Sequence, residues 1–426
     1  MQIYVVERGD SLGSIAGEFG IPLGLLAAEN GLDPAGSLLP GQALLIAKAR
    51  LVYAVQPGDS LYAIARKAGL SLRQLWRFNP WLEASSSIYP GQELVLAYED
   101  SGRQPFFVNG YAYPYIPENI LGQSIACLNT LSLFAYGFDE QGNLIPPAES
   151  NVVDWGRQRQ CGSMLVLAPL DANGEFNNQR ISAVLQDAEK RQRLLDQLLA
   201  EISRKGMVGV DLDFEYVKPE DAAAYVQFAA ELQADLSRMG LRLTIALAPK
   251  TSADQPGLLY EGHDYQALGA VADAVTLMTY EWGYTYGPPM AVSPLPNVRA
   301  VLDYAVTAIP PAKIMMGLSN YGYDWPLPFR QGTTRARSLS TVEAVALAVR
   351  YGAEIQYDSR SAAPWFLYTD EAGVRHQVWF EDCRSWEARL RLVAEYGLMG
   401  VGIWNLMREN PQGWNTLNAL YETDDL

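Results

Sequence analysis

Gly209-Val210-Asp211-Leu212-Asp213-Phe214-Glu215 is the run on which the fold turns. Side chains on a strand alternate between its two faces. Asp211, Asp213 and Glu215 therefore share one face, and Val210, Leu212 and Phe214 share the other, where they would pack beneath a layer of helices. Three carboxylates on one inward face are costly unless they share protons or hydrogen bonds. Their crowding raises the proton affinity of at least one of them, as a general acid near neutral pH requires. A solvated acidic face on an edge strand is the alternative, and the apolar alternate face argues against it.

Outward from this run, apolar β-rich segments recur at residues 106–111, 130–136, 164–170, 209–214, 242–248, 274–280, 313–319 and 400–404. Helical stretches separate several of them, among them 181–205 and 219–240. Buried strands alternating with helices predict an α/β fold, a (β/α)8 TIM barrel over residues 106–426, with its chemistry at the C-terminal strand ends. The gap between the seventh and eighth strands, about 320–399, holds a helical stretch at 341–351, strand-like runs at 365–368 and 377–380, and a helix from Ser385. It predicts a small α+β insertion able to wall one side of a cleft. Residues 98–106, with Asp100-Ser101-Gly102-Arg103-Gln104-Pro105, read as a polar linker ahead of the barrel.

The front of the chain repeats itself. Residues 4–12 read YVVERGDSL and residues 53–61 read YAVQPGDSL. Asn30 matches Asn79, and Pro40-Gly41-Gln42 matches Pro90-Gly91-Gln92. In each unit a short strand leads to a Gly-Asp-Ser turn that caps a helix. A second short helix ends near the Asn, and the Pro-Gly-Gln turn opens a closing strand. The pattern is βααβ, over residues 1–48 and again over 51–98.

Composition narrows the function. The chain has 426 residues, 49% hydrophobic and 19% charged, without a run of ~20 apolar residues that would span a bilayer. Its net charge of -16 argues against partners with phosphate backbones and against anionic membrane surfaces. The residues from Met1 to Arg8 lack a basic region followed by an apolar core, so a secretory leader is not expected. Cys127, Cys161 and Cys383 are too few and scattered for a disulfide framework and read as reduced thiols. His263 and His376 are the only histidines, and no Gly-Lys-Ser/Thr phosphate loop is present. Chemistry must then run on carboxylates, tyrosines and backbone; no metal and no cofactor is expected, and the chain is expected to be a monomer.

The two front units resemble the LysM domain, on the Gly-Asp-Ser-Leu turn, the Asn after the second helix and the Pro-Gly-Gln turn. The resemblance implies binding to peptidoglycan or a chitin-type glycan, with Gly9, Asp10, Ser11 and Asn30 in the first unit and Gly58, Asp59, Ser60 and Asn79 in the second at the groove. Units that serve only as spacers or as dimerisation surfaces are the alternative. Tyr62, Trp76 and Trp81 have no aromatic counterparts in the first unit; they would stack on sugars, or in the case of Trp76 fill the core.

The carboxylate run resembles glycoside hydrolase family 18, whose signature is Asp-x-x-Asp-x-Asp-x-Glu. Asp211, Asp213 and Glu215 occupy three of its four acidic positions, and Val208 stands at the first. That first residue supports the others in the family, so the departure bears on proton cycling more than on bond cleavage. Met278-Thr279-Tyr280 followed by Glu281-Trp282 is similar to the family's strand-six element Met-x-Tyr-Asp, with Glu281 in place of Asp. Gly402-Ile403-Trp404 is similar to its strand-eight element. Read as packing residues, Tyr280 and Trp404 would belong to the barrel core instead.

The resemblance implies substrate-assisted cleavage, an exception to the two-carboxylate rule for glycosidases. The sugar's own N-acetyl oxygen attacks the anomeric carbon, and configuration is retained. Glu215 protonates the leaving oxygen and then activates water. Asp213 holds the acetamido N–H, Asp211 tunes Asp213, Tyr280 orients the acetyl oxygen and Trp404 floors the sugar site beside Met278, Glu281 and Trp282. Two such repeats on such a barrel, with Gln377-Val378-Trp379-Phe380-Glu381-Asp382, resemble the spore cortex-lytic and germination N-acetylglucosaminidases of endospore-forming Firmicutes. That group implies a β-N-acetylglucosaminidase in the spore's cortex or coat layers, or otherwise one associated with the cell wall. A chitinase is the rival enzyme, and a catalytically silent lectin the rival of another class; such lectins usually lack the Glu or the preceding Asp, and both are present here.

Overall fold

The computed structural model describes residues 1–85, 87–98, 104–170 and 176–423. Its centre is a closed barrel of eight parallel strands: β1 (Gln104–Ala112), β2 (Thr130–Phe138), β3 (Gly162–Leu167), β4 (Gly209–Leu212), β5 (Arg242–Leu247), β6 (Ala274–Leu277), β7 (Ile314–Ser319) and β8 (Gly400–Trp404). Each pairs with the next, and β8 closes on β1. The alternation in β4 does what the sequence demands. Val210, Leu212 and Phe214 are buried under the helices, where Phe214 stacks on Tyr225 and Phe228 of the helix Ala222–Arg238 at centroid distances of 5.2 and 5.9 Å.

Several boundaries differ from the sequence reading. The β4 ladder stops at Leu212, so Asp213 and Glu215 stand in the turn beyond it rather than on the strand. The helix expected over 181–205 is two, Asn178–Leu185 and Ala188–Lys205. Asp187 starts the second by accepting from the N–H groups of Glu189 and Lys190 at 3.0 and 3.2 Å, a cap that outweighs the continuous periodicity. Gln104 and Pro105, expected in the linker, belong to β1, and residues 99–103 of that linker lie outside the described residues.

The insertion between β7 and β8 is richer in strand than expected. An antiparallel five-stranded sheet of Gly322–Leu327, Arg337–Leu339, Gln356–Asp358, Ala363–Thr369 and Arg375–Trp379 packs against the helix Thr341–Tyr351. Short strands interrupted by Pro and Gly carry little periodicity to read.

Both front units adopt the βααβ pattern. Gln2–Val5 pairs with Ala43–Ile46, and Ala49–Ala54 pairs with Glu93–Tyr98, each antiparallel. They dock onto the barrel's flank. Gln412 of the last helix (Pro411–Leu420) donates to Asn30 Oδ1 and the Ala43 carbonyl at 3.0 and 2.8 Å. Arg73 of the second unit donates to the carbonyls of Leu128, Arg159 and Gln160. Among the described residues no helix is long and apolar enough to cross a membrane.

Candidate active site

The C-terminal ends of the strands surround a cleft of about 480 Å³ lined by Tyr113, Phe134, Asp213, Glu215, Met278, Tyr280, Glu281, Trp282, Tyr284 and Trp404, among others. Every expected barrel-site residue except Asp211 lines it. Asp211 is completely buried behind Asp213. The Ser132 hydroxyl lies 3.5 Å from its Oδ2. Burial raises its proton affinity, and the hydroxyls of Tyr111, Thr244 and Ser132 oppose that. Val208, the departure from the signature, lies just before β4 at the barrel's other end, where its N–H donates to the Ser163 carbonyl at 2.8 Å. Glu215 lies seven positions further along the chain, about 20 Å at strand rise. Among the described residues the hydroxyl beside Asp211 is that of Ser132 on β2, and Asp211 Oδ1 has no hydrogen-bond partner.

Asp213 is 7% exposed, and its Oδ1 has no hydrogen-bond partner. Burial, then the charges of Glu215 and Asp211, hold its carboxyl well above the usual carboxylate range. Glu215 is pushed up to about 7, by burial first and then by the charge of Glu281. Its position is fixed through the backbone. His263 is fully buried; the Ala248 N–H donates to its Nδ1, and its Nε2 donates to the Phe214 carbonyl, each at 2.9 Å. Burial lowers the His263 pKa to about 4, so the ring is a neutral pin between the ends of β4 and β5. Tyr216 follows with φ of 57°, a left-handed conformation that is unfavourable for a side-chain-bearing residue.

Tyr280 reaches the cleft because residue 317 is glycine: a Cβ there would come within 2.8 Å of Tyr280 Cε1. Burial and the charges of Asp213 and Glu215 keep its hydroxyl protonated. Glu281, also left-handed with φ of 65°, opens to the cleft and accepts hydrogen bonds from the hydroxyls of Tyr321 and Tyr323, the latter at 3.0 Å. Protein crowding raises its proton affinity and both tyrosines lower it. Trp404 makes T-shaped contacts with Phe134 and Tyr113 at 4.8 and 6.0 Å and lines the cleft. Non-proline cis peptides join Phe134 to Ala135 and Trp404 to Asn405.

The sequence reading missed Tyr113, Phe134, Tyr260 and Tyr284 in the cleft wall and Tyr321 and Tyr323 behind Glu281. Tyr111-Ala112-Tyr113 and Tyr321-Gly322-Tyr323 are alternating aromatics at or just past strand ends, a signal that was available. In the repeats, Ser11 and Ser60 cap helices, and Asp10 and Asp59 accept from Tyr4 and Tyr53 at 2.9 and 2.7 Å within their own turns. Gly9 and Gly58 supply those turns with φ of 98° and 88°. Asn30 and Asn79 stand against the expectation that they face glycan. They are 4% and 0% exposed, and their amides clamp the backbone of Leu45 and Val95. Trp76, whose Nε1 donates to the Ser85 carbonyl at 2.9 Å, packs on the core, while Tyr62 is 68% exposed. The three cysteines are buried and unbridged.

Residues 171–409 match the model of the glycosyl hydrolases of family 18, and residues 4–47 and 53–97 each match the LysM domain. The chain is 38% identical over 424 residues to the cortical fragment-lytic enzyme of Bacillus anthracis, covering 98% of this chain and 97% of that one. It superposes on the spore cortex-lytic enzyme SleL of Bacillus megaterium with a TM-score of 0.85 at 34% identity, over 100% of this chain and 99% of the other. SleL of Bacillus cereus gives 0.84 at 38% identity, over 100% and 98%.

Proposed function

The chain belongs to the glycosyl hydrolases of family 18 and hydrolyses glycosidic bonds; from that premise we propose that it is a retaining, substrate-assisted β-N-acetylglucosaminidase of spore-cortex peptidoglycan, anchored to the glycan by its LysM repeats. The observation that carries the mechanism is Asp213 Oδ1, an unpartnered and buried carboxylate oxygen in the cleft beside Glu215. An acetamido N–H is the donor such an oxygen awaits. Held there, the acetyl oxygen turns toward the anomeric carbon, and Tyr280 O–H orients it.

Glu215, neutral up to about pH 7, gives its proton to the leaving oxygen as the C–O bond breaks. The resulting oxazolinium lies against the Asp213 carboxyl, which its positive charge draws toward the ionised form, with Asp211 behind it. Glu215, now ionised, takes a proton from water as that water opens the ring, and the hydroxyl is delivered to the face the leaving group occupied. The cortex as substrate rests on what the relatives are named for, and so does a place in the spore's outer layers.

Glu215→Gln is expected to lose hydrolysis by at least about a thousandfold while still binding insoluble cortex; retained turnover sinks the assignment. Mass spectrometry of cortex digests should show N-acetylglucosamine at the new reducing ends, with the β-anomer first by NMR. Muramic acid at those ends would point to the other bond, and digestion confined to chitin would favour a chitinase.

A further inference from the structure

Beyond the loop that follows β6, the cleft wall continues onto a ledge built by the insertion. Tyr284 lines the cleft; Tyr286 lies next to it at a ring-centroid distance of 6.5 Å, and the Arg335 guanidinium sits 5.9 Å over the Tyr286 ring. Arg335 and Arg337 then line a second, open hollow of about 390 Å³ with Thr285, Ala336 and Ser338. The ledge is tied down from beneath. The Ala336 N–H donates to the Thr285 carbonyl and Trp325 Nε1 to the Gly287 carbonyl, both at 2.8 Å. Arg408 fixes Ser338 Oγ at 2.6 Å.

The charges on this ledge are unspent. The chain has 48 acidic residues against 32 basic ones, and arginines elsewhere, such as Arg157, Arg191, Arg204, Arg299 and Arg408, have found carboxylates. Arg335 and Arg337 are exposed, and among the described residues neither makes an ion pair. The acid across the strand pair from Arg337, Asp324, is already held by Tyr368 and His376 at 2.7 and 2.8 Å. Two free guanidiniums on a rigid hollow, one of them fixed over an aromatic ring, are the donor set that recognises a carboxylate.

Resting on the glycosidase reading above, we propose that Arg335 and Arg337 form a subsite for a carboxylate carried by the glycan next to the sugars in the cleft. Wall glycan offers that group in two forms, the lactyl carboxylate of muramic acid and the carboxylates of an attached peptide, whereas chitin offers none. The ledge would therefore select wall glycan over chitin without touching the reacting atoms.

The test compares kcat/KM of the full-length protein and its Arg335→Ala/Arg337→Ala variant on three soluble probes: neutral chito-oligosaccharides, wall glycan fragments with free lactyl groups, and the same fragments with peptides attached. The double substitution should lower kcat/KM about tenfold on one or both anionic probes, the scale of one charge-assisted hydrogen bond, and leave the neutral probe unchanged. Loss on the lactyl probe or only on the peptide probe identifies the source. Added salt should narrow the gap, and Arg335→Lys/Arg337→Lys should recover part of it. Equal loss on all three probes, or none, overturns the subsite while leaving the hydrolase reading intact. Failure of the unsubstituted protein to cut any of the three overturns both.

Discussion

Two desolvated carboxyl groups in this molecule, one half-buried and one fully buried, have similar proton affinities and unlike employment. Glu215 is pushed up to about 7 and lines an open cleft. Glu29 is pushed up to about 8, by burial against the hydrogen bond from Tyr98, and is completely enclosed. It sits where three parts of the chain meet. It lies on the second helix of the first repeat, and Tyr98 at the end of the second repeat donates to its Oε1 at 3.2 Å. Asn415 of the last barrel helix donates to its backbone carbonyl at 2.9 Å. A raised carboxyl marks a desolvated place; chemistry needs in addition a charged neighbour to couple with and room for a substrate. Glu215 has Glu281, Asp213 and a cleft, while Glu29 has a hydroxyl and a packed interface.

The sharpest way to separate the two is Glu29→Gln. Folding favours the protonated Glu29, so its contribution is intact below the unfolded value of 4.5 and is lost as pH climbs toward about 8. An amide does not titrate. At pH 7 the variant should be more stable by about 3 kcal/mol, shrinking toward zero near pH 4.5, in urea unfolding at the two pH values. Turnover should not change. A gain independent of pH would mean that Glu29 is not neutral in the fold.

Glu281→Gln acts on the other member of the pair. Removing an anion beside Glu215 makes that carboxyl easier to ionise. The fall of kcat/KM on the alkaline side should move to lower pH, while the amide still accepts from Tyr321 and Tyr323. An unmoved profile would detach Glu281 from the acid.

The smallest effect concerns the repeats, which differ as the two carboxyls do, by what covers them. In the first, a Cβ at Gly41 would collide with the Ile355 carbonyl of the insertion; the equivalent Gly91 of the second has nothing within 4 Å. Tyr62 and Tyr89 stand 68% and 66% exposed on the second unit. Tyr62→Ala/Tyr89→Ala should weaken retention on insoluble cortex roughly threefold, about 0.7 kcal/mol, with turnover on soluble fragments unaltered. Unchanged retention would move the grip to the first repeat.

The carboxylate run could be read because a two-residue period is a local property: it places Asp211 inward on β4, and Asp213 and Glu215 reach the cleft from the turn that follows the strand. The LysM units could be read because Gly9 and Gly58, Ser11 and Ser60 do local work in turns and caps. Asn30 and Asn79 misled because recurrence in a repeat does not distinguish a clamp on the backbone from a contact with a ligand. The insertion's Tyr321 and Tyr323 went unseen because their partner, Glu281, lies on a different strand end.

The sequence by itself determined the barrel, its two preceding units and which carboxylates face inward, since these follow from periodicity and turn chemistry within short windows. Only the tertiary structure decided that Ser132 of β2 stands beside the buried Asp211, that His263 pins the Phe214 carbonyl, and that among the described residues Arg335 and Arg337 are left without carboxylates. Those outcomes depend on distances between strands and loops far apart in the chain, and on desolvation, which is set by everything packed around a group rather than by its neighbours in sequence.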